Sequence, residues 1–167
     1  MITFATKKNI LYNSMSLIDK IRQPISAEMR IFKSIFAEAL KTDNPLLSNV
    51  NEYILQGSGK QLRPILTILS AKLCGEVSEA TYNGALSLEL LHNASLIHDD
   101  VVDFTMERRG RSSINARWTN KIAVLSGDYM LSSALINATK TKNLDILFAV
   151  ANIGMELSDG ELIQLTN

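Results

Sequence analysis

Residues 87–103 read Ser-Leu-Glu-Leu-Leu-His-Asn-Ala-Ser-Leu-Ile-His-Asp-Asp-Val-Val-Asp. Leu88, Leu91, Leu96, Ile97 and Val101 recur at helical spacing and surround the acids at its end with apolar surface. A helix of this kind belongs inside a fold, where carboxylates need partners. Ser78 is a suitable N-cap for it, Glu79 supports its first-turn dipole, and its end is expected near Asp103.

Helical punctuation continues outward in both directions. Upstream, Pro64 begins a helix through Cys74 that Gly75 closes, and 57–60 (Gly-Ser-Gly-Lys) reads as a flexible break. Asp43-Asn44-Pro45 ends one helix and caps the next, which carries Leu46, Leu47, Val50, Ile54 and Leu55. Pro24 sits in the first turn of a helix whose apolar positions include Ile25, Met29, Phe32, Ile35 and Phe36. Downstream, 104–118 reads as a polar, basic loop with a short helix. Thr119 or Asn120 caps a helix to about Ala138, and Leu144–Leu165 forms another. Convincing period-2 strands and internal repeats are absent. The expected class is all-α, with roughly five to seven helices, several too apolar around their circumference for a surface position.

The chain has 167 residues, the length of a single domain, with 46 % apolar and 20 % charged residues. Seventeen Lys and Arg offset seventeen Asp and Glu, so no overall field draws it to nucleic acid, and any anion site is local. Cys74 is the sole cysteine, which excludes an intrachain disulfide and a Cys-based zinc site and fits a cytoplasmic compartment. The N-terminal stretch lacks the pattern of a signal peptide, and no apolar run reaches the ~18–20 residues of a membrane span.

Chemistry concentrates around the long helix. On a helical wheel Asp103 lies about 40° from Asp99, and Asp100 about 100°. Three carboxylates so close repel one another near a helix C-terminus, where the dipole disfavours negative charge. Oxygen ligands of this kind select a hard cation such as Mg²⁺ bridging to phosphates; a solvated acidic helix end is the plainer reading. Lys60 and Arg63 stand at a loop-to-helix junction suited to phosphate, and Arg108-Arg109 follow the acids directly. Either basic pair alone reads as a solvated surface cluster. Together with the acids they describe a magnesium-bound diphosphate beside a second, arginine-bound one. His92 lies about 20° from Asp99 on the wheel and is expected to face the same space.

These residues resemble the trans-prenyltransferases, the E-isoprenyl diphosphate synthases. The matches are 59–64 (Gly-Lys-Gln-Leu-Arg-Pro), 91–94 (Leu-His-Asn-Ala), 99–103 (Asp-Asp-Val-Val-Asp), 108–110 (Arg-Arg-Gly), 124–128 (Val-Leu-Ser-Gly-Asp) and 160–165 (Gly-Glu-Leu-Ile-Gln-Leu), in the family's order. The pattern is most similar to bacterial long-chain polyprenyl diphosphate synthases of the octaprenyl type. The resemblance implies the N-terminal part of the isoprenoid synthase helical bundle. It implies Mg²⁺ held by Asp99 and Asp103 with Asp100 supporting, and Arg108 on the allylic diphosphate. Lys60, Arg63, His92 and Arg109 would hold isopentenyl diphosphate, and Glu161 and Gln164 would line the substrate region. Gln61 departs from the basic residue common in the family. A homodimer is implied, with the helix Lys121–Ala138 as an interface at which Ser126 and Gly127 permit close approach.

The implied reaction is ionisation of an allylic diphosphate and attack by isopentenyl diphosphate, giving a longer all-trans polyprenyl diphosphate. Ala94 and Ser95 are small, so the tunnel beneath the acids is open for at least one turn, and a long product is expected. Phe148 is a candidate floor farther down, with plain core as the rival reading. The family's second aspartate-rich motif does not occur in this chain. The expectation is therefore a single truncated domain over 1–167, the N-terminal half of such an enzyme and inactive alone. A half-length, non-catalytic partner subunit is the main alternative. A terpene cyclase would leave Lys60, Arg63 and Arg109 surplus, and a purely structural bundle leaves the ordered motifs unexplained.

Overall fold

The structure is a computed structural model that describes residues 16–57 and 59–166. The stretch before Ser16, together with Ser58 and Asn167, lies outside the described residues. Among those residues there are eight α-helices, one above the expected range, the unanticipated one being the short first helix. They are α1 (Leu17–Arg22), α2 (Ser26–Ala39), α3 (Pro45–Gln56), α4 (Leu62–Cys74), α5 (Glu79–Val102), α6 (Ile114–Arg117), α7 (Asn120–Lys140) and α8 (Leu144–Thr166).

The anticipated caps form. The Asn44 side chain accepts from the backbone N–H of Leu46 (3.0 Å) and Leu47 (3.1 Å). Ser78 and Thr81 make a reciprocal capping box at the start of α5. Thr119, not Asn120, caps α7. Helix α4 starts two residues before Pro64, whose missing N–H falls among the first four that have no intrahelical partner anyway.

Helix α5 runs through the centre, burying residues on most of its circumference, Leu86, Leu90, Leu91, Ala94 and Ile97 among them. Helix α7 lies against it antiparallel: His98 near the end of α5 meets Val124 and Asp128 near the start of α7. Helix α8 runs parallel to α5, because Glu161 lies beside Asp99 while Gly154 contacts Leu91. Helices α2 and α4 cover the opposite side, where Phe32 and Phe36 stack at 6.0 Å. Two expectations fail here. Ser126 and Gly127 are buried, and Gly127 admits the His98 ring, so their close approach is to α5 within the chain. Phe148 is neither floor nor core, being 73 % exposed. Helix α8 lies at the surface, and its exposed Met155, Leu162 and Leu165 line an open apolar cavity against α5 and α7.

A two-residue hairpin interrupts the helices, with β1 (Glu107–Arg108) antiparallel to β2 (Arg111–Ser112). Its turn residues Arg109 and Gly110 both have positive φ (56° and 75°), the backbone of a tight two-residue hairpin turn. Strands this short carry no readable alternation, which is why the sequence suggests only loop.

Candidate functional site

Helix α5 divides the site into two cavities. On one side, about 290 Å³ is lined by Lys60, Gln61 and Arg63 from the start of α4, Glu89 and His92 from α5, and Arg109 from the hairpin. The family resemblance groups Lys60, Arg63, His92 and Arg109, and all four line this cavity. Arg109 reaches this cavity by lying against Gly59, where a Cβ would collide with its guanidinium. Gln61, the family departure, is buried and in left-handed backbone conformation (φ 50°) at the N-cap of α4.

Charge shapes this cavity. Burial, then Arg63, Arg109 and Arg108, lower the His92 pKa to about 4, so the ring is neutral at pH 7. Glu89 is only 5 % exposed and one of its carboxylate oxygens has no hydrogen-bond partner. Burial raises its pKa while Arg63 and Arg109 pull the other way. Sequence reasoning missed Glu89; an acid one turn before His92 on an interior helix was the available signal. Between pH 6.5 and 4 the unfolded chain protonates His92 and the folded chain does not, so acidification through that window destabilises the fold. Thermal melts of the protein should therefore fall more steeply with pH than those of His92→Gln over the same range.

On the other side of α5, a cavity of about 640 Å³ opens between α5, α7 and α8. Its walls are mostly apolar, including Leu91, Leu131, Leu135, Val150 and Leu162, and Asp99 and Glu161 stand at its rim. Ala94 and Ser95 line it, as their small size suggests. Gln164 is exposed and forms no part of this wall. His92 and Asp99 do not share a cavity, although the wheel aligns them. Seven residues separate them by about 10.5 Å of rise, and the His92 ring turns to the basic side.

The three aspartates diverge. Asp100 is 4 % exposed and holds Arg108 through both Nε (2.8 Å) and Nη2 (2.7 Å). That pair raises the Arg108 pKa and fixes its guanidinium. Asp99 and Asp103 remain one turn apart. Burial and the neighbouring carboxylates Glu161, Asp103 and Asp100 raise the Asp99 pKa, with Arg108 opposing. Among the described residues no group of three or more His, Cys, Asp or Glu side chains converges as a metal cage. Arg108→Ala should destabilise the protein by about 2–3 kcal/mol, because Asp100 is left buried and unpaired. Denaturant titration should show the double variant Asp100→Ala, Arg108→Ala losing less than Arg108→Ala alone.

Residues 44–167 match the family model for polyprenyl synthetase. The chain is 35 % identical to octaprenyl diphosphate synthase of Haemophilus influenzae, over 90 % of its own length and 46 % of that protein. The crystal structure of geranylgeranyl pyrophosphate synthase from Bacteroides thetaiotaomicron is 44 % identical, with a TM-score of 0.74 over 92 % of this chain and 46 % of that one. A polyprenyl synthase from Caulobacter crescentus, complexed with calcium and isoprenyl diphosphate, gives a TM-score of 0.84 at 28 % identity, over 89 % of this chain and 45 % of that one. The chain thus spans about half the length of the relatives it matches. With the family model matching residues 44–167, this chain belongs to the polyprenyl synthetase family.

Proposed function

We propose that this chain supplies the two substrate cavities of a chain-elongating prenyltransferase, which joins an allylic diphosphate to isopentenyl diphosphate. The observation that carries this reading is the pairing of a basic cavity with an acid-rimmed apolar one across a single helix. Lys60, Arg63 and Arg109 would grip isopentenyl diphosphate, and neutral His92 would act there by hydrogen bonding rather than charge. The allylic tail would occupy the apolar cavity, its diphosphate meeting Asp99 at the rim and, just beyond it, Asp103 and Arg108, both near enough to act on the Asp99 carboxylate.

Asp99 and Asp103 fit Mg²⁺, which is commonly held by one or two carboxylates together with substrate phosphates. The crowding that raises the Asp99 pKa is relieved by a cation. When bound, Mg²⁺ would supply charge neutralisation as diphosphate leaves the allylic carbon. Asp100 supports this from behind by aiming Arg108, which adds a fixed positive group for the same leaving oxygen. The apolar walls exclude water from the cation that forms, and the basic cavity places the attacking double bond. Proton loss then completes a chain longer by one unit.

We further propose a long product, because nothing bulky stands at Ala94 or Ser95 and the cavity continues to Leu91, Leu135 and Val150. From Asp99 to Leu91 is about 12 Å along α5. The outward residues Leu125 and Ile136 of α7 are the face available for a homodimer. The reading is tested with a chimera that joins residues 1–167 to the remaining length of an octaprenyl diphosphate synthase relative. Incubated with farnesyl diphosphate, labelled isopentenyl diphosphate and Mg²⁺, it should form labelled polyprenyl diphosphates. No incorporation in a folded chimera would favour the non-catalytic partner reading.

A further inference from the structure

The hairpin that carries Arg108 and Arg109 is too short to hold itself, since two paired residues per strand give no independent stability. Its base is tied by the Thr105 N–H donating to the Asp100 carbonyl (2.9 Å) and the Ser113 hydroxyl donating to the Thr105 carbonyl (2.7 Å). Its second strand is tied elsewhere. The Arg111 guanidinium lies 4.0 Å over the Tyr53 ring, and its Nη1 donates to the Tyr53 carbonyl at 3.1 Å. The Tyr53 hydroxyl donates back to the Ser112 carbonyl at 2.8 Å. Trp118 meets Tyr53 edge-on at 5.4 Å, and Arg117 covers the ring at 4.6 Å. A tyrosine on α3 thus grips β2 from both its backbone and its ring.

We propose that Tyr53 and Arg111 are positioning residues that clamp the hairpin to α3 and thereby set where Arg108 and Arg109 project. The inference rests on the diphosphate reading above, and neither residue takes part in that reading. Gly57 supplies an independent handle. A Cβ there would collide with the Arg111 Nη1, while the Gly57 backbone (φ −96°) accepts any residue. Gly57 thus makes room for Arg111 just as Gly59 does for Arg109, so the segment that reads as a flexible break also seats the hairpin. Gly57→Ala therefore pushes Arg111 off its seat without touching a residue of either cavity's charged set.

The test is calorimetric titration of inorganic diphosphate, without Mg²⁺, into this chain and into Gly57→Ala, Arg111→Ala, Arg111→Lys and the double variant Gly57→Ala, Arg111→Ala. Misplacing a binding arginine by an ångström or so is expected to weaken diphosphate by roughly 10- to 100-fold in Gly57→Ala and in Arg111→Ala. Arg111→Lys keeps the cation over the ring and should recover part of the loss. The double variant should bind no more weakly than Arg111→Ala, because Gly57→Ala acts only through Arg111. Emission from Trp118, the single tryptophan, should shift in both single variants at unchanged helical circular dichroism. If the parent chain binds diphosphate and both single variants match it, the clamp is overturned. Losses that simply add in the double variant overturn it too. A folded parent chain that binds no diphosphate at all overturns the diphosphate reading, and the clamp with it.

Discussion

Asp99→Ala and Asp103→Ala are each expected to lower prenyl transfer by about 10³-fold or more in the chimera with an octaprenyl diphosphate synthase relative. Asp99 stands at the apolar cavity's rim and Asp103 one turn beyond it, and neither is paired with Arg108, which Asp100 already holds. Removing either one weakens the site for a divalent cation, whose charge is worth several kcal/mol to the departing diphosphate, and each 1.36 kcal/mol is a factor of ten. The loss should appear in kcat, with isopentenyl diphosphate binding unchanged, because the basic cavity shares none of these residues. Asp99→Asn should behave like Asp99→Ala, since the charge and not the shape carries the effect. Near-parental, Mg²⁺-dependent turnover in any of these variants would sink the assignment.

Ser95→Phe should shorten the product of the same chimera. Ser95 stands one turn below Asp99, about 6 Å along α5, and its side chain is on the cavity wall with its hydroxyl donating to the His92 carbonyl at 3.0 Å. A phenyl ring there closes the cavity just beneath the rim, so the growing tail stops after the first units. Ala94→Phe should act in the same direction at a higher structural cost, because Ala94 is 2 % exposed and overpacking destabilises by about 1–3 kcal/mol. Chromatography of the dephosphorylated products reads the outcome. An unchanged distribution with Ser95→Phe would show that the tail runs elsewhere, and a C20 parent product would contradict the long-chain reading.

Helices were the legible part of this chain, because caps such as Asn44 and Ser78 act locally and apolar spacing reports which face turns inward. The same locality explains what was hidden. The wheel places His92 and Asp99 on one line but carries no information on which way a ring turns once α4 packs beside it. Small residues at Ser126 and Gly127 signal a close approach without naming the partner, which proves to be His98 of the same chain. Asp100 looks equivalent to its neighbours until the hairpin folds back and brings Arg108 onto it. The hairpin itself, and the Tyr53–Arg111 contact across 58 positions of sequence, exist only in the tertiary arrangement.

In the proposed reading, one helix separates two independent diphosphate sites, only one of them dependent on metal. Titration of this chain with isopentenyl diphosphate and with farnesyl diphosphate, each with Mg²⁺ and with EDTA, tests it directly. Isopentenyl diphosphate should bind under both conditions and be lost in Arg63→Ala. Farnesyl diphosphate should require Mg²⁺ and be lost in Asp99→Ala. Competition of the two ligands for one site, or farnesyl diphosphate binding that ignores both Mg²⁺ and Asp99, would overturn this separation.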